Sequence, residues 1–517
     1  MLKTDNPDRL FAVVLVSTVV IKLIAAQLLP LTGDEAYFIV WGKHLDYGYY
    51  DHTPMVGWVL AALLAVGDAV VWLRLPSILI STFIGWSIWR LLRDSNREIA
   101  AFAAALYLLA PVNLLGVIIT TDTPLILFGF LSGLCFFRAQ DGDRPLWYAL
   151  SGLFLGLAFF SKFFAGLLGI AYVLYVVLFV RRGPKPYLGL ALVVLGTLPF
   201  IGLNLIWNYN NCWNNYLFNL LNRTQGAALS LKTPGKYAFW LLYLATPPLL
   251  YYLLREWRRF VPAMRLGGTG VFLALFLIPI ALFALLSGWK SIGLHWLFSF
   301  YPFLFIGAAA LLDAPRLRRT LKFMVWFSLV HGVVFVSLAI VVEYSPQLLR
   351  ALPDPFKVAE SPYKDVIYAT RNEEILAALD KYRDDFKLAT DSYRESADLY
   401  YTSREHVMVF GGGSYHARQD DLLTDFRELD GGNILILAYF PGIERFGEYF
   451  DSAELKTLEM EGVQFYYVLG RGFRYEKYQR DVLDGIIRNY YSIPDFLPVS
   501  TCYMHERYGV PAQRDGR

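Results

Sequence analysis

The sequence predicts a polytopic α-helical membrane protein with about eleven transmembrane helices and a C-terminal soluble α/β domain. Three observations predict it. The 517-residue chain is 56% apolar and only 18% charged, whereas soluble domains carry about 25% charged residues. The deficit is confined to residues 10–343, a series of apolar runs joined by short polar loops, and charge returns after about residue 344. Lys and Arg also alternate between rich and poor from one loop to the next, as they do on the two faces of a membrane.

A helix that spans a bilayer needs about 17–25 mostly apolar residues. The predicted spans are 10–30, 74–92, 99–117, 124–139, 146–161, 163–180, 187–207, 238–254, 270–287, 296–312 and 323–343. The fifth and sixth are divided only by Ser161 and Lys162, but together they are too long for one helix rising 1.5 Å per residue. The polar start Met1–Arg9 is short, and the first run lacks an A-x-A-like exit, so a retained helix is expected rather than a cleaved signal peptide.

With the N-terminus in the cytoplasm, the inner loops hold sixteen cations: Arg90, Arg93, Arg97, Arg138, Arg144, Arg181, Arg182, Lys185, Arg255, Arg258, Arg259, Arg265, Arg316, Arg318, Arg319 and Lys322. The opposite loops hold six: Lys43, Lys162, Arg223, Lys232, Lys236 and Lys290. An odd number of spans then places residues 344–517 outside the cytoplasm. The predicted division is 1–343, a membrane domain including an interfacial external loop 31–73, and 344–517, an extracytoplasmic α/β domain. In that tail Lys387–Ser392, His406–Phe410, Asn433–Phe440 and Gly462–Leu469 read as strands, and Asn372–Tyr382 and Tyr475–Asn489 as helices. Gly411–Gly413 follows a strand as phosphate loops do, but no Lys-Ser/Thr pair follows it, so an ordinary turn is expected.

A net charge of +3 gives no electrostatic support to nucleic-acid binding. Cys135 lies in an apolar run; Cys212 and Cys502 are both on the expected outer side and could pair, but two unpaired thiols are expected.

Charges at a membrane boundary are costly unless they have a task or a partner. Four clusters fall in the expected outer loops: Gly33-Asp34-Glu35-Ala36-Tyr37; Asp51-His52-Thr53-Pro54; Thr120-Thr121-Asp122-Thr123-Pro124; and Ser161-Lys162 with Trp289-Lys290 and His295-Trp296. Their gathering on one membrane face suits transfer of a group away from a phosphate. Asp34 or Glu35 is placed to take a proton from an attacking hydroxyl. Lys162 and Lys290 suit the charge growing on a departing phosphate. Asp122 suits orienting an acceptor, steering a cation or stabilising positive charge on a sugar carbon.

Plainer readings stand beside these. Asp34 also suits a helix cap, Lys162 and Lys290 suit snorkelling to headgroups, and His295 with Trp296 suits the interfacial aromatic belt. His52 has no second histidine at ligand spacing, which argues against a metal. Lys22, inside the first span, suits either function or pairing with a neighbouring helix.

The acidic pair Asp34-Glu35 just after the first helix resembles the first external loop of GT-C glycosyltransferases. The chain is similar to glycosyltransferase family 39 and its bacterial relatives, which include protein O-mannosyltransferases and lipid A aminoarabinose transferases. The residues that carry the resemblance are GDEAYFIVWGKHLDYGYYDHTPMVGWVL (33–60), VVWLRLPSIL (70–79), TTDTPLILF (120–128), GLFLGLAFFSKFFAGLLG (152–169) and HWLFSFYPFLFIGAAAL (295–311). His52-Thr53-Pro54 departs from the His-Pro-Pro of many relatives.

The resemblance implies a GT-C fold and transfer of one sugar, with inversion, from a polyprenyl-phosphate donor. The acceptor it favours is lipid A or another cell-envelope glycolipid, with protein Ser/Thr as an alternative; it implies no certain cofactor and leaves a divalent cation open. Carried over, Asp34 matches the catalytic base, Glu35 its partner and Asp122 the second acidic position. Lys162 matches a phosphate-binding cation, Lys290 and His295 match a less regular later motif, and Tyr37, Asp51 and His52 lie in the substrate loop. A polyprenyl-lipid transporter is a competing class, which broken helices and paired repeats would mark.

Overall fold

The computed structural model describes residues 6–142, 144–180, 183–224, 228–351, 362–438, 442–498, 501–510 and 514–515. Each predicted apolar segment contains helix. Among the described residues five helices are long and apolar enough to cross a membrane: Pro7–Leu28, Val70–Leu92, Asp122–Gln140, Lys185–Asn210 and Ala314–Tyr344. Pro145–Phe159, Ala165–Phe179 and Gly270–Leu286 are apolar but shorter. The predicted loop cations Arg181 and Arg182 lie outside the described residues.

Three predicted spans differ: that over 296–312 is a 3-10 turn, Leu294–Leu297, followed by the nine-residue helix Tyr301–Ala309, and two others break at proline. The span expected over 99–117 stops at Leu109, because Pro111 pushes Ala110 into an extended conformation (φ −53°, ψ 131°). The span expected over 238–254 is broken: Lys232–Ala245 and Pro247–Arg255 are bent by 96°. Thr246 between them has φ +60°, and Pro247 and Pro248 cannot continue the first helix's hydrogen bonds.

The chain forms two compact units, 1–29 with 67–203 and 226–336, and 30–66 with 204–225 and 337–517. This differs from the predicted cut after residue 343, since the first external loop and residues 204–225 fall in the unit that contains the tail.

In the first unit, several buried polar groups are satisfied between helices, as apolar surroundings favour. Ser132 Oγ bonds the Tyr172 hydroxyl at 2.7 Å and the Ser151 carbonyl at 2.8 Å. Lys22 is buried and donates to Ser81 Oγ at 2.6 Å, which favours the pairing reading of that residue. Arg74, also buried, donates to the Ala26 and Leu29 carbonyls, each at 2.8 Å. It thereby closes the C-terminal turn of Pro7–Leu28, where a cation suits the helix dipole.

The second unit holds a five-stranded sheet: β1 (Lys387–Thr390), β2 (Met408–Val409), β3 (Ile434–Ala438), β4 (Phe450–Met460) and β5 (Val463–Phe473). Their order is β2-β1-β3-β5-β4. β1 pairs in parallel with β2 and β3, while β5 runs antiparallel to β3 and β4. Glu461 and Gly462 turn the β4–β5 hairpin, both with positive φ (51° and 68°), as tight hairpin turns need.

Four of the five strands coincide with predicted ones; positions 439 and 440 of the Asn433–Phe440 run lie outside the described residues. Gly411–Gly413 is a turn, with φ +97° at Gly411 and +58° at Gly413. The expectation of unpaired thiols is overturned: Cys212 and Cys502 form a disulfide across 290 residues. The Cys212 N–H donates to the Thr501 carbonyl at 3.1 Å and Trp213 Nε1 to the Pro498 carbonyl at 3.0 Å.

Candidate active site

The candidate residues divide between the two units. Asp122, Lys162, Lys290 and His295 lie in the first; Asp34, Glu35, Tyr37, Asp51 and His52 lie in the second.

Asp122 opens the helix Asp122–Gln140, and its N–H donates to Thr120 Oγ1 at 3.2 Å. Lys162 follows Pro145–Phe159 in the short turn before Ala165–Phe179. The structure joins the two: Lys162 Nζ donates to both Asp122 oxygens, at 2.9 and 2.8 Å. Each residue is only 6% exposed. The lysine therefore does not snorkel, since it is held in its turn by a buried carboxylate. Lys162 Nζ also lies 5.3 Å from the Phe164 ring centre. Phe164 packs on Trp296 at 4.7 Å, and Lys290 Nζ lies 6.0 Å from a Trp296 ring. His295 meets the same tryptophan edge-on at 6.3 Å. One aromatic pair therefore links all four candidates of this unit.

In the second unit, Thr32 and Glu35 form a capping box at the start of Gly33–Lys43. Thr32 Oγ1 accepts from the Glu35 N–H at 3.3 Å, and Glu35 Oε2 accepts from the Thr32 N–H at 3.2 Å. Glu35, 1% exposed, is thus occupied as a cap, and the capping alternative for Asp34 loses its reason. Asp34 is exposed.

Tyr37 and Asp51 face the interior of this unit. The Tyr37 hydroxyl donates to Asp51 Oδ2 at 2.9 Å, and the Ala417 N–H donates to Asp51 Oδ1 at 3.0 Å. The Gln419 N–H donates to the Tyr37 hydroxyl at 3.2 Å. Asp51 and Tyr37 therefore tie the external loop to residues 417–419 of the tail. Burial pushes the Asp51 carboxyl up to about 7, against the opposing pull of the Ala417 and Tyr37 donors.

His52 packs between Trp41 and Phe218, each ring 6.2 Å away. The Asn215 amide donates to the carbonyls of Tyr49, Tyr50 and His52, shaping that bend. Among the described residues no group of three His, Cys, Asp or Glu side chains could hold a metal ion.

Sequence reading missed Tyr393 and Arg394, which begin the helix Tyr393–Ser403. The Tyr393 hydroxyl donates to Asp34 Oδ1 at 3.3 Å, and Arg394 Nε donates to the Tyr393 oxygen at 3.2 Å. No motif marks them, and 359 residues separate Tyr393 from Asp34. A cleft of about 780 Å³ in the tail, lined in part by Tyr382, Arg383, Lys387, His406 and Glu428, contains none of the candidates.

Comparison with known proteins bears on this arrangement. A family model described as dolichyl-phosphate-mannose-protein mannosyltransferase matches residues 51–207. The lipid A galacturonosyltransferase RgtD of Rhizobium johnstonii is 32% identical over 134 residues, 25% of this chain and 28% of RgtD. The match thus spans little more than a quarter of that relative's length. Two crystal structures of ArnT from Cupriavidus metallidurans, one bound to undecaprenyl phosphate and one in the apo state, superpose with TM-scores of 0.60 and 0.58. Both are 14% identical and cover 88% of this chain and 97% of ArnT. The chain has the ArnT fold and resembles the GT-C glycosyltransferases related to ArnT and the protein mannosyltransferases.

Proposed function

We propose that the chain is an inverting glycosyltransferase that moves one sugar from a polyprenyl-phosphate donor to lipid A or another cell-envelope glycolipid. We place it in the bacterial inner membrane, working on its outer face. The observation that carries this reading is the state of the acidic pair: Glu35 is buried and engaged as a cap, while Asp34 beside it is exposed. Such a division leaves one carboxylate available to a substrate hydroxyl. The ArnT fold and the likeness to a lipid A galacturonosyltransferase support the substrate classes.

In this reading Asp34 takes the proton from the acceptor hydroxyl as its oxygen attacks the anomeric carbon. The bond from that carbon to the phosphate oxygen breaks, its electron pair leaves on the phosphate, and polyprenyl phosphate is released. Lys162, preset by Asp122, and Lys290 supply positive charge for the departing phosphate. An almost wholly apolar groove of about 420 Å³, with Leu155, Phe159, Gly169, Ile170 and Ile201 among its lining, suits an isoprenoid chain. Protein Ser/Thr as acceptor uses the same chemistry. The 96° break at Thr246 favours a second reading, a polyprenyl-lipid transporter, since transporters break helices around their sites.

The test is transfer in vesicles containing the purified chain, lipid A and a polyprenyl phosphate carrying galacturonic acid or aminoarabinose, with products read by mass spectrometry. Asp34→Asn should lose about 10²–10⁴-fold in rate. Glu35→Gln should lose far less, because Gln also completes a capping box. An Asp34→Asn chain working at the parent rate would remove Asp34 as the base and leave Asp122 to be tested. Movement of the donor across the bilayer without transfer would favour the transporter.

A further inference from the structure

The N-terminal turns of Gly33–Lys43 and Tyr393–Ser403 meet in the second unit. A Cβ on Gly33 would lie 3.0 Å from Arg394 Cβ and 3.1 Å from Arg394 Cγ, tighter than real packing normally allows. Glycine at this position is what lets the two turns approach. The Tyr393 ring is set edge-on against Tyr37, with centres 5.3 Å apart, and Tyr37 is itself held by Asp51 and Gln419. The Tyr393 hydroxyl is thereby brought to Asp34 from a ring that packing has already fixed.

We infer that Tyr393 and Arg394, from the tail, are positioning residues for Asp34: Arg394 donates to the Tyr393 oxygen, and Tyr393 donates to Asp34 Oδ1. The inference rests on Asp34 being the base of the proposed transfer. The direction of the two bonds matters. A guanidinium donating to a phenol oxygen polarises its O–H, so the phenol is a stronger donor to the carboxylate. One Asp34 oxygen is thus occupied, and the other is left to accept the acceptor's proton. Burial, then the Asp34 charge, pushes the Tyr393 phenol up to about 12, so it remains a donor throughout the working range.

A merely structural role predicts something else. A hydrogen bond to an exposed carboxylate contributes little to stability, so the contact has small weight unless the carboxylate's orientation counts. This gives the tail a task in the reaction that its α/β character does not reveal. In the step itself the proton passes from the acceptor hydroxyl to Asp34, and Tyr393 keeps its own.

The experiment uses the full chain in the same vesicle assay, with thermal unfolding measured in parallel. Tyr393→Phe keeps the ring and removes the donor. We expect kcat to fall about tenfold, the low end for a hydrogen bond to a charged group because Asp34 is exposed. KM for the lipid donor and the unfolding midpoint should not move. Arg394→Gln should fall by a similar factor, Arg394→Lys should recover most of the rate, and the Phe/Gln double variant should be no worse than either single one. If the parent transfers sugar, Asp34→Asn does not, and Tyr393→Phe matches the parent kcat, the inference fails while the proposed function stands. A fall in kcat accompanied by an equal loss of stability would also overturn it. A parent chain that moves no sugar removes the proposed function and this role together.

Discussion

At the scale of single residues, the structure changes what a Lys162 substitution should do. The buried pair means that Lys162→Ala leaves the Asp122 carboxylate without its cation in a site only 6% exposed. Breaking such a pair from one side costs about 3–5 kcal/mol, so the unfolding midpoint in detergent should drop markedly. Asp122→Asn with Lys162→Met should regain most of that stability without regaining transfer. An unchanged midpoint in Lys162→Ala would mean that the pair carries no structural weight. The types Asp34, Asp122 and Lys162 were legible in the sequence because boundary charges are conspicuous in an apolar chain. Their partners were not. The Thr32-x-x-Glu35 spacing of a capping box stands in the sequence and singles out Glu35 from Asp34, but the boundary charge alone, by which the pair is noticed, does not separate the two.

At the scale of elements, the helix Tyr393–Ser403 escaped sequence reading because polar residues interrupt its inner face of Ala397, Leu399 and Tyr400. Its buried positions include Asp398, and Glu395 stands one turn before it. Each leaves one buried carboxyl oxygen without a hydrogen-bond partner. Burial lifts both carboxyls to about 8. Asp391 opposes ionisation of Glu395, Asp34 and Glu35 oppose that of Asp398, and Arg394 favours both. Between about pH 4, where unfolded carboxyls titrate, and pH 8, the folded helix holds protons that the unfolded chain has released. Stability therefore falls as pH rises through that window and levels off above it. Hydrogen exchange of residues 393–403, corrected for intrinsic rates, should show protection declining from pH 5 to 8, and Glu395→Gln with Asp398→Asn should flatten the decline. β4 was missed for a different reason. It is an edge strand loaded with Asp451, Glu454, Lys456 and Glu459, which guard an exposed edge but erase the apolar alternation by which strands are recognised.

At the scale of the whole molecule, the Cys212–Cys502 disulfide bears on topology. Such bonds persist in oxidising compartments, and the loop-by-loop cation asymmetry independently predicts that residues 208–237 and the tail lie outside the cytoplasm. A reporter fused after Arg319 should therefore report cytoplasm, and one after Tyr490 the outside. The parent and the Cys212→Ser variant should differ in mobility on a non-reducing gel and match after reduction. Equal cytoplasmic signals from both fusions would overturn the orientation. Removing the crosslink should cost up to about 5 kcal/mol, since it closes a very long loop. By itself the sequence determined the classes of element: the length and apolarity of a run are local quantities, so the apolar helical segments and most strands of the α/β tail were legible in order. Only the tertiary structure decided the partners. The break at Thr246, the Cys212–Cys502 bond, the Asp122–Lys162 pair and the approach of Tyr393 to Asp34 are distances between side chains or bends between helices. Such quantities depend on packing at long separation, which no local pattern encodes.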